Sequence, residues 1–202
     1  MAYDGIVSRH LNRRLSRPAA RAMASTPATP NAVTLFTLLL SFAVAAATAA
    51  GWNIAGGIGI QLVSVIDGVD GELARIRNMA TRFGAVLDAV SDRYADAAML
   101  GGMTIYAARF EDLPRPEVIG MLALAGALSV SYSRARIEAS IPNPPANLDA
   151  LFGLASRDVR LLIAAIGTVA GQCYWTLALL AALSAATTAW RLAYLRFAKS
   201  EE

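Results

Sequence analysis

An all-α integral membrane protein, with six transmembrane helices behind an N-terminal interfacial amphipathic helix, is the fold class this 202-residue sequence predicts. Three observations predict it. The chain is 56% hydrophobic and only 16% charged, less charge than a soluble domain of this size normally carries. Charge-free runs extend over 32–66 and 161–190, each longer than the ~20 apolar residues that cross a bilayer. The pattern has no barrel-like alternation, so helices must satisfy the backbone in lipid.

The elements follow in order. Residues 5–23 form a prelude in which Val7, Leu11, Leu15, Ala19 and Met23 recur every four residues. Arg9, Arg13, Arg17 and Arg21 recur on the opposite face, which reads as an amphipathic helix with arginines toward anionic headgroups. A solvated basic leader is the alternative. Pro18 is expected to break this helix, with Ser16 capping a second short piece, and His10 is expected to be solvated. No apolar core of a cleavable signal stands in residues 1–31. That stretch is assigned as a cytoplasmic or interfacial segment, and residues 32–202 as one six-helix membrane domain.

The spans expected are 32–50, 54–75, 84–107, 117–138, 157–171 and 173–196. Gly51-Trp52-Asn53 makes the first turn, Pro142, Pro144 and Pro145 mark a loop, and the last apolar run divides near Gly171-Gln172. Cys173 is the single cysteine, so no intramolecular disulfide is possible and it reads as a packing residue. With the N-terminus in the cytoplasm, 15 of the 18 Lys and Arg fall on inside segments. Arg109 and Arg115 fall outside, and Arg93 within a span. This positive-inside bias predicts both termini in the cytoplasm.

Against that apolar background stands "SVIDGVDGELARIRNMATRFGAVLDAVSDRYAD", Ser64 to Asp96. A carboxylate at the centre of a spanning helix costs roughly 2.5–3.5 kcal/mol on insertion scales, so its retention calls for a function. Asp67 and Asp70 are i,i+3, and Asp88 and Asp92 are i,i+4, so each pair shares a helix face. A short link over 76–83 makes the two helices antiparallel, which levels Asp67 with Asp92 and Asp70 with Asp88. Four carboxylates then converge near the cytoplasmic surface. They repel one another unless a hard cation intervenes, and all-oxygen ligation favours Mg²⁺, Mn²⁺ or Ca²⁺. Such ions complete their shells with phosphate oxygens, so the residues point to metal-dependent chemistry on a phosphate compound. Gly68, Gly71 and Gly84 allow close approach at the mouth. The alternatives are a hairpin neutralised by Arg75, Arg77, Arg82 and Arg93, an ion path in a small transporter, or a prenyltransferase lacking its second Asp-rich motif.

Asp67-x2-Asp70-Gly71-x2-Ala74-Arg75-x8-Gly84-x3-Asp88-x3-Asp92 resembles the signature of the CDP-alcohol phosphotransferase (CDP-alcohol phosphatidyltransferase) family at every specified position. The resemblance implies an enzyme that transfers a substituted phosphate from a CDP-alcohol to an acceptor hydroxyl and releases CMP. It implies Asp67, Asp70, Asp88 and Asp92 as metal ligands for Mg²⁺ or Mn²⁺, one or two ions, with Asp92 also the general base. It implies Asp67, Asp70, Gly71, Ala74, Arg75, Gly84 and Asn31 on the nucleotide; Asp96, one turn after Asp92 and outside the signature, is read as lying behind the ligands. "TPNAVTL" (29–35), "SYSRARIE" (131–138) and "SRDVR" (156–160) extend the similarity. In members with a phosphorylated polyol acceptor, basic residues in such places hold its phosphate, which suits arginine's planar fork. Arg134 and Arg157 are expected in that role, then Arg136, Arg160 and Arg191, with positive-inside anchoring as the alternative for each.

The N-terminal "DGIVSRHLNRRLSRPAAR" resembles the di-myo-inositol-phosphate-phosphate synthase branch. That implies CDP-inositol as donor and inositol 1-phosphate as acceptor, a homodimer in the bilayer, and a cytidylyltransferase as fused or separate partner. No nucleic-acid partner is expected. The chain reads as a stand-alone member or as one domain of a longer protein. The alternative donor is CDP-diacylglycerol, used by a phosphatidylinositol-phosphate or phosphatidylglycerophosphate synthase. The motif reads only the CDP part that both donors share.

Overall fold

The computed structural model describes residues 12–141 and 156–198. Among these, seven helices follow one another: α1 (Arg13–Met23), α2 (Pro30–Ala49), α3 (Asn53–Ile76), α4 (Arg82–Phe110), α5 (Pro116–Ser140), α6 (Arg157–Val169) and α7 (Cys173–Ala198). The all-α architecture is as expected. His10 and the loop prolines 142, 144 and 145 lie outside the described residues.

Local chemistry sets the helix starts. Pro30 occupies the first position of α2, where its fixed φ and missing N–H are harmless, and the Thr29 hydroxyl accepts from Ala32 N–H at 3.3 Å. Thr81 caps α4 likewise, accepting from Gly84 N–H at 3.0 Å. Glu111, just past α4, accepts from the first two amides of α7, Cys173 at 2.6 Å and Tyr174 at 3.0 Å. A carboxylate suits that place because a helix N-terminus carries partial positive charge.

The helices pack as one bundle. α3 lies between α2 and α6 with α1 along it, α4 packs on α2, α5 and α7, and α7 packs on α5 and α6. Ile60 and Val63 of α3, Met99 and Met103 of α4, and Leu177 and Leu180 of α7 fill the core. Glycines bring backbones together: a Cβ on Gly102 would lie 2.5 Å from the Ala45 carbonyl oxygen, and one on Gly57 2.5 Å from that of Ala165. α6 runs antiparallel to α3. Asn53 at the start of α3 donates to the Val169 carbonyl at 3.1 Å, which leaves the start of α6 level with Asp67.

Two expectations are corrected. Among the described residues four helices, α2, α3, α5 and α7, are long and apolar enough to cross a membrane, not six. α4 has 29 residues but carries Arg82, Asp88, Asp92, Arg93, Asp96 and Arg109. α6 has 13 residues. That rises only about 20 Å against a hydrocarbon core of about 30 Å. The end points expected for the spans fall close to the helix ends; what failed was equating each helix with a crossing.

The N-terminal helix, too, is no separate surface element. α1 continues through Pro18 and turns Asn12, Ser16 and Ala20 onto α3. Ser16 lies inside α1 and does not start a second helix; it is buried and packs where Gly68 leaves room. Asn12 donates to Ser64 Oγ at 2.9 Å and accepts from Gln61 at 3.1 Å. The arginines meet a carboxylate: Arg13 and Arg17 lie 3.9 and 3.4 Å from Glu72 of α3. Leu15, on the expected apolar face, stays 56% exposed and faces outward. A helical repeat of four defines faces, but not which face a neighbouring helix covers.

Gly57→Ala forces a methyl against the α6 backbone, whereas a Cβ on Gly101 meets nothing within 4 Å. Overpacking of this kind costs about 1–3 kcal/mol. Thermal unfolding in detergent is therefore expected to show a lowered Tm for Gly57→Ala and no loss for Gly101→Ala. Equal melting of the two would contradict the close α3–α6 packing.

Candidate active site

The α3–α4 hairpin turns at 77–81, with Asn78 at φ 53°. Arg77 braces the turn by donating to the carbonyls of Met23, Ala24, Thr26 and Ala28, which ties the α1–α2 link to the end of α3. Beyond the turn, Asp67 of α3 and Asp88 and Asp92 of α4 each present a carboxylate oxygen, all within 4.8 Å of one another. Asp70 stands beside this group, 7% exposed. Its two oxygens accept from Thr34 Oγ1 of α2 and from Gly71 N–H, both at 2.5 Å. Asp67 thus faces both α4 acids, while Asp70, whose charge also acts on Asp88, is hydrogen-bonded toward α2.

The cation that reaches these acids comes from α6. Arg157, in its first turn, places Nη1 2.5 Å from Asp67 Oδ2 and 2.9 Å from Asp92 Oδ1. Its Nε donates to Asp96 Oδ1 at 3.0 Å, and Asp96 Oδ2 accepts from Arg160 Nη2 at 3.2 Å. Arg157 Nη2 is buried with no hydrogen-bond partner among the described residues. Of the arginines near the motif, Arg93 lies 3.3 Å from Asp92, Arg75 lies 3.3 Å from Glu72, Arg77 is engaged at the turn, and Arg82 is exposed. Arg93 therefore balances Asp92 from within the hairpin, and Arg157 adds a charge from across the bundle.

The remaining candidates divide. A Cβ on Gly84 would lie 3.2 Å from Asn31 Oδ1, so the first turns of α2 and α4 meet. A Cβ on Gly71 would meet only the Arg75 guanidinium, at 3.8 Å. Asn31, Gly71, half-buried Ala74, Arg75 and Gly84 thus lie at the hairpin end that holds the acids. The five arginines do not form one group. Arg157 and Arg160 share Asp96. Arg191 of α7 donates to Val130 O at 2.6 Å and to Ser133 Oγ at 3.0 Å; the next residue, Arg134, pairs with Glu138 at 2.9 Å. Arg136 faces an outer groove between α5 and α7 with Tyr132, Ile137 and Leu192.

Sequence reasoning missed Thr34, the support of Asp70, and Glu72 as the acid that binds α1. "TPNAVTL" held the signal for the first, a hydroxyl one turn after the proline start, but nothing local shows which helix it faces. Glu72 sits i,i+3 from Arg75, which explains only one of its three arginines.

The group fits a divalent cation. Three carboxylate oxygens at this spacing, with no nitrogen or sulfur ligand among them, suit a hard ion. Burial, aided by the nearby charges of Asp70 and Asp67, pushes the Asp88 carboxyl up to about 7. Burial also raises Asp92, with Arg157 acting in the opposite sense.

Comparison with known proteins adds the following. The model of a family described as CDP-alcohol phosphatidyltransferase matches residues 27–197. A "Bifunctional IPC transferase and DIPP synthase" of Rubrobacter xylanophilus is 42% identical over 168 residues, 83% of this chain and 37% of that protein. The phosphatidylinositol phosphate synthase of Mycobacteroides abscessus is 36% identical over 168 residues, 82% of this chain and 73% of that one. The crystal structure of Mycobacterium tuberculosis phosphatidylinositol phosphate synthase with CDP-DAG bound is similar at TM-score 0.72 and 30% identity, covering 89% of this chain and 92% of that one. The same enzyme in complex with manganese and citrate also gives TM-score 0.72, at 30% identity over 88% and 87%. The chain spans about a third of the bifunctional relatives, 37% and 30% of their lengths.

A proton on Asp88 competes with a cation for the same oxygens. Since its carboxyl titrates near 7, Mn²⁺ affinity is expected to be full above that pH and to fall as the pH drops through it. Mn²⁺ titration by electron paramagnetic resonance between pH 5.5 and 8.5 checks this. A flat profile would contradict a role for Asp88 as ligand.

Proposed function

The chain belongs to the CDP-alcohol phosphatidyltransferase family, and from that premise we propose that it makes a phospholipid from CDP-diacylglycerol. On this reading the phosphatidyl group passes to a hydroxyl of a phosphorylated polyol, inositol 1-phosphate first among candidates, and CMP is released. The observation that carries the reaction class is the trio Asp67, Asp88 and Asp92, with oxygens within 4.8 Å. The choice of donor is supported by similarity, over most of both chains, to a solved enzyme with CDP-DAG bound. CDP-inositol is the second reading, favoured by the 42% identity to the bifunctional relative.

In this scheme Asp67, Asp70, Asp88 and Asp92 hold one or two Mg²⁺ or Mn²⁺ ions. Bound there, the metal neutralises the diphosphate and stabilises CMP as leaving group. Asn31, Gly71, Ala74, Arg75 and Gly84 receive the cytidine end, where small side chains leave space. Asp92 takes the proton of the acceptor hydroxyl as that oxygen bonds to the distal phosphorus and the bond to CMP breaks. Its raised affinity for a proton suits a base. Asp70 has both oxygens engaged, by Thr34 and the Gly71 amide, so its orientation toward the nucleotide is preset. Arg157 offers Nη2, which has no partner among the described residues, to the acceptor phosphate, with Arg160 beside it, while Arg134 and Arg191 bring positive charge from α5 and α7; Arg136, on the outer groove, stands apart. The site lies in the half of the molecule where Arg13, Arg17, Arg77, Arg157 and Arg191 gather, which supports a cytoplasmic-face site with both termini on that side. A homodimer completes the reading.

Purified protein should release CMP from CDP-diacylglycerol with inositol 1-phosphate, and less from CDP-inositol. The reverse preference would install the second donor, and no release from either would sink the reading. Asp92→Asn is expected to lower kcat at least about 100-fold while leaving CDP-compound binding near its original strength. Arg134→Ala should raise KM for the phosphorylated acceptor more than for the donor. Equal changes for both would take it out of the acceptor pocket.

A further inference from the structure

We propose that Asp96 is a positioning residue for the cation site: it keeps the Arg157 guanidinium paired when a divalent ion displaces its Nη1 from Asp67 and Asp92. This rests on the reading that Asp67, Asp88 and Asp92 bind that ion. Asp88, Asp92 and Asp96 follow one another at i,i+4 on one face of α4. Asp96 is the deepest, its side chain 5% exposed, yet it ligates nothing in the trio.

Its partners explain its place. Arg157 contacts three carboxylates at once, with Nη1 on Asp67 and Asp92 and Nε on Asp96. A buried guanidinium must keep a counter-charge, and here the choice is between two metal-ligand carboxylates and Asp96. A divalent ion at the trio competes with Nη1 for the same oxygens and repels the guanidinium. Asp96 gives Arg157 somewhere to remain paired when that happens. It is itself held in place, because Arg160, one turn along α6, donates to its other oxygen at 3.2 Å. The two α6 arginines and Asp96 therefore form a clamp whose reach decides how much of Arg157 falls on the ligands. The same clamp aims Arg157 Nη2, the atom without a partner. Without Asp96, Arg157 has, among the described residues, only the ligand carboxylates to pair with, and cation affinity falls although no ligand is touched.

The test is Mn²⁺ affinity, read by electron paramagnetic resonance on the full chain in detergent, with thermal unfolding measured beside it. Asp96→Asn is expected to weaken Mn²⁺ binding roughly tenfold, as loss of an outer partner of a metal ligand does. Arg157→Gln should tighten it, and in that background Asp96→Asn should change affinity by less than about twofold. Asp96→Glu, which keeps the charge, should bind Mn²⁺ as the original protein does. If Asp96→Asn lowers Tm but leaves Mn²⁺ affinity unchanged, or weakens it equally with and without Arg157, the proposal is overturned. Should Asp96→Asn fail to fold, the Arg157→Gln result decides alone: unchanged or weaker Mn²⁺ binding refutes it. Asp67→Asn separates the two readings. If it too leaves Mn²⁺ affinity intact, the cation site itself is misassigned; if it abolishes binding while Asp96→Asn does nothing, only the role of Asp96 fails.

Discussion

Everything at the functional end of this bundle depends on keeping several carboxylates charged inside a largely apolar protein. Asp67, Asp88 and Asp92 converge, Asp70 and Asp96 lie within a turn of them, and the protein supplies Arg157 from a third helix to balance them. Removing charges from water is expensive unless each finds an opposite charge or a hydrogen bond. Each of the deeper acids has such partners: Thr34 and the Gly71 amide for Asp70, Arg157 and Arg160 for Asp96. Asp88 is the least well balanced: burial first, and then the charges of Asp70 and Asp67, push its carboxyl up to about 7. A site built this way invites a cation, since an ion relieves a repulsion the protein balances only in part.

The rest of the fold can be understood as support for that arrangement. α1 is fastened to α3 by Glu72 and by the Asn12–Ser64–Gln61 contacts, and Arg77 ties the following link to the end of α3. α2 brings Thr34 and Asn31 to the same end. At the opposite end Glu111 fastens α7 to α4, and the glycines of α3 and α4 let α6 and α2 approach within backbone contact. Close helix approach matters because a carboxylate reaches only a few ångströms. Helices held apart by larger side chains would not bring oxygens from α3 and α4 within 4.8 Å of one another, nor let Arg157 bridge them.

Local sequence determined a good deal. Apolar runs, turn residues and helix starts such as Thr29-Pro30 place the helices to within a few residues, because these signals act through neighbours in the chain. The acids of α3 and α4 were legible as one site, since helical spacing and a short hairpin leave their meeting to simple geometry. Tertiary structure alone decided the rest. It turned α1 inward, because Glu72 is near its arginines in space and 55 residues away from Arg17 in sequence. It brought Arg157, 90 residues from Asp67, into the acid group. Periodicity reports which residues share a face; only packing between distant helices reports what that face meets, and charge pairing across such distances leaves no local trace.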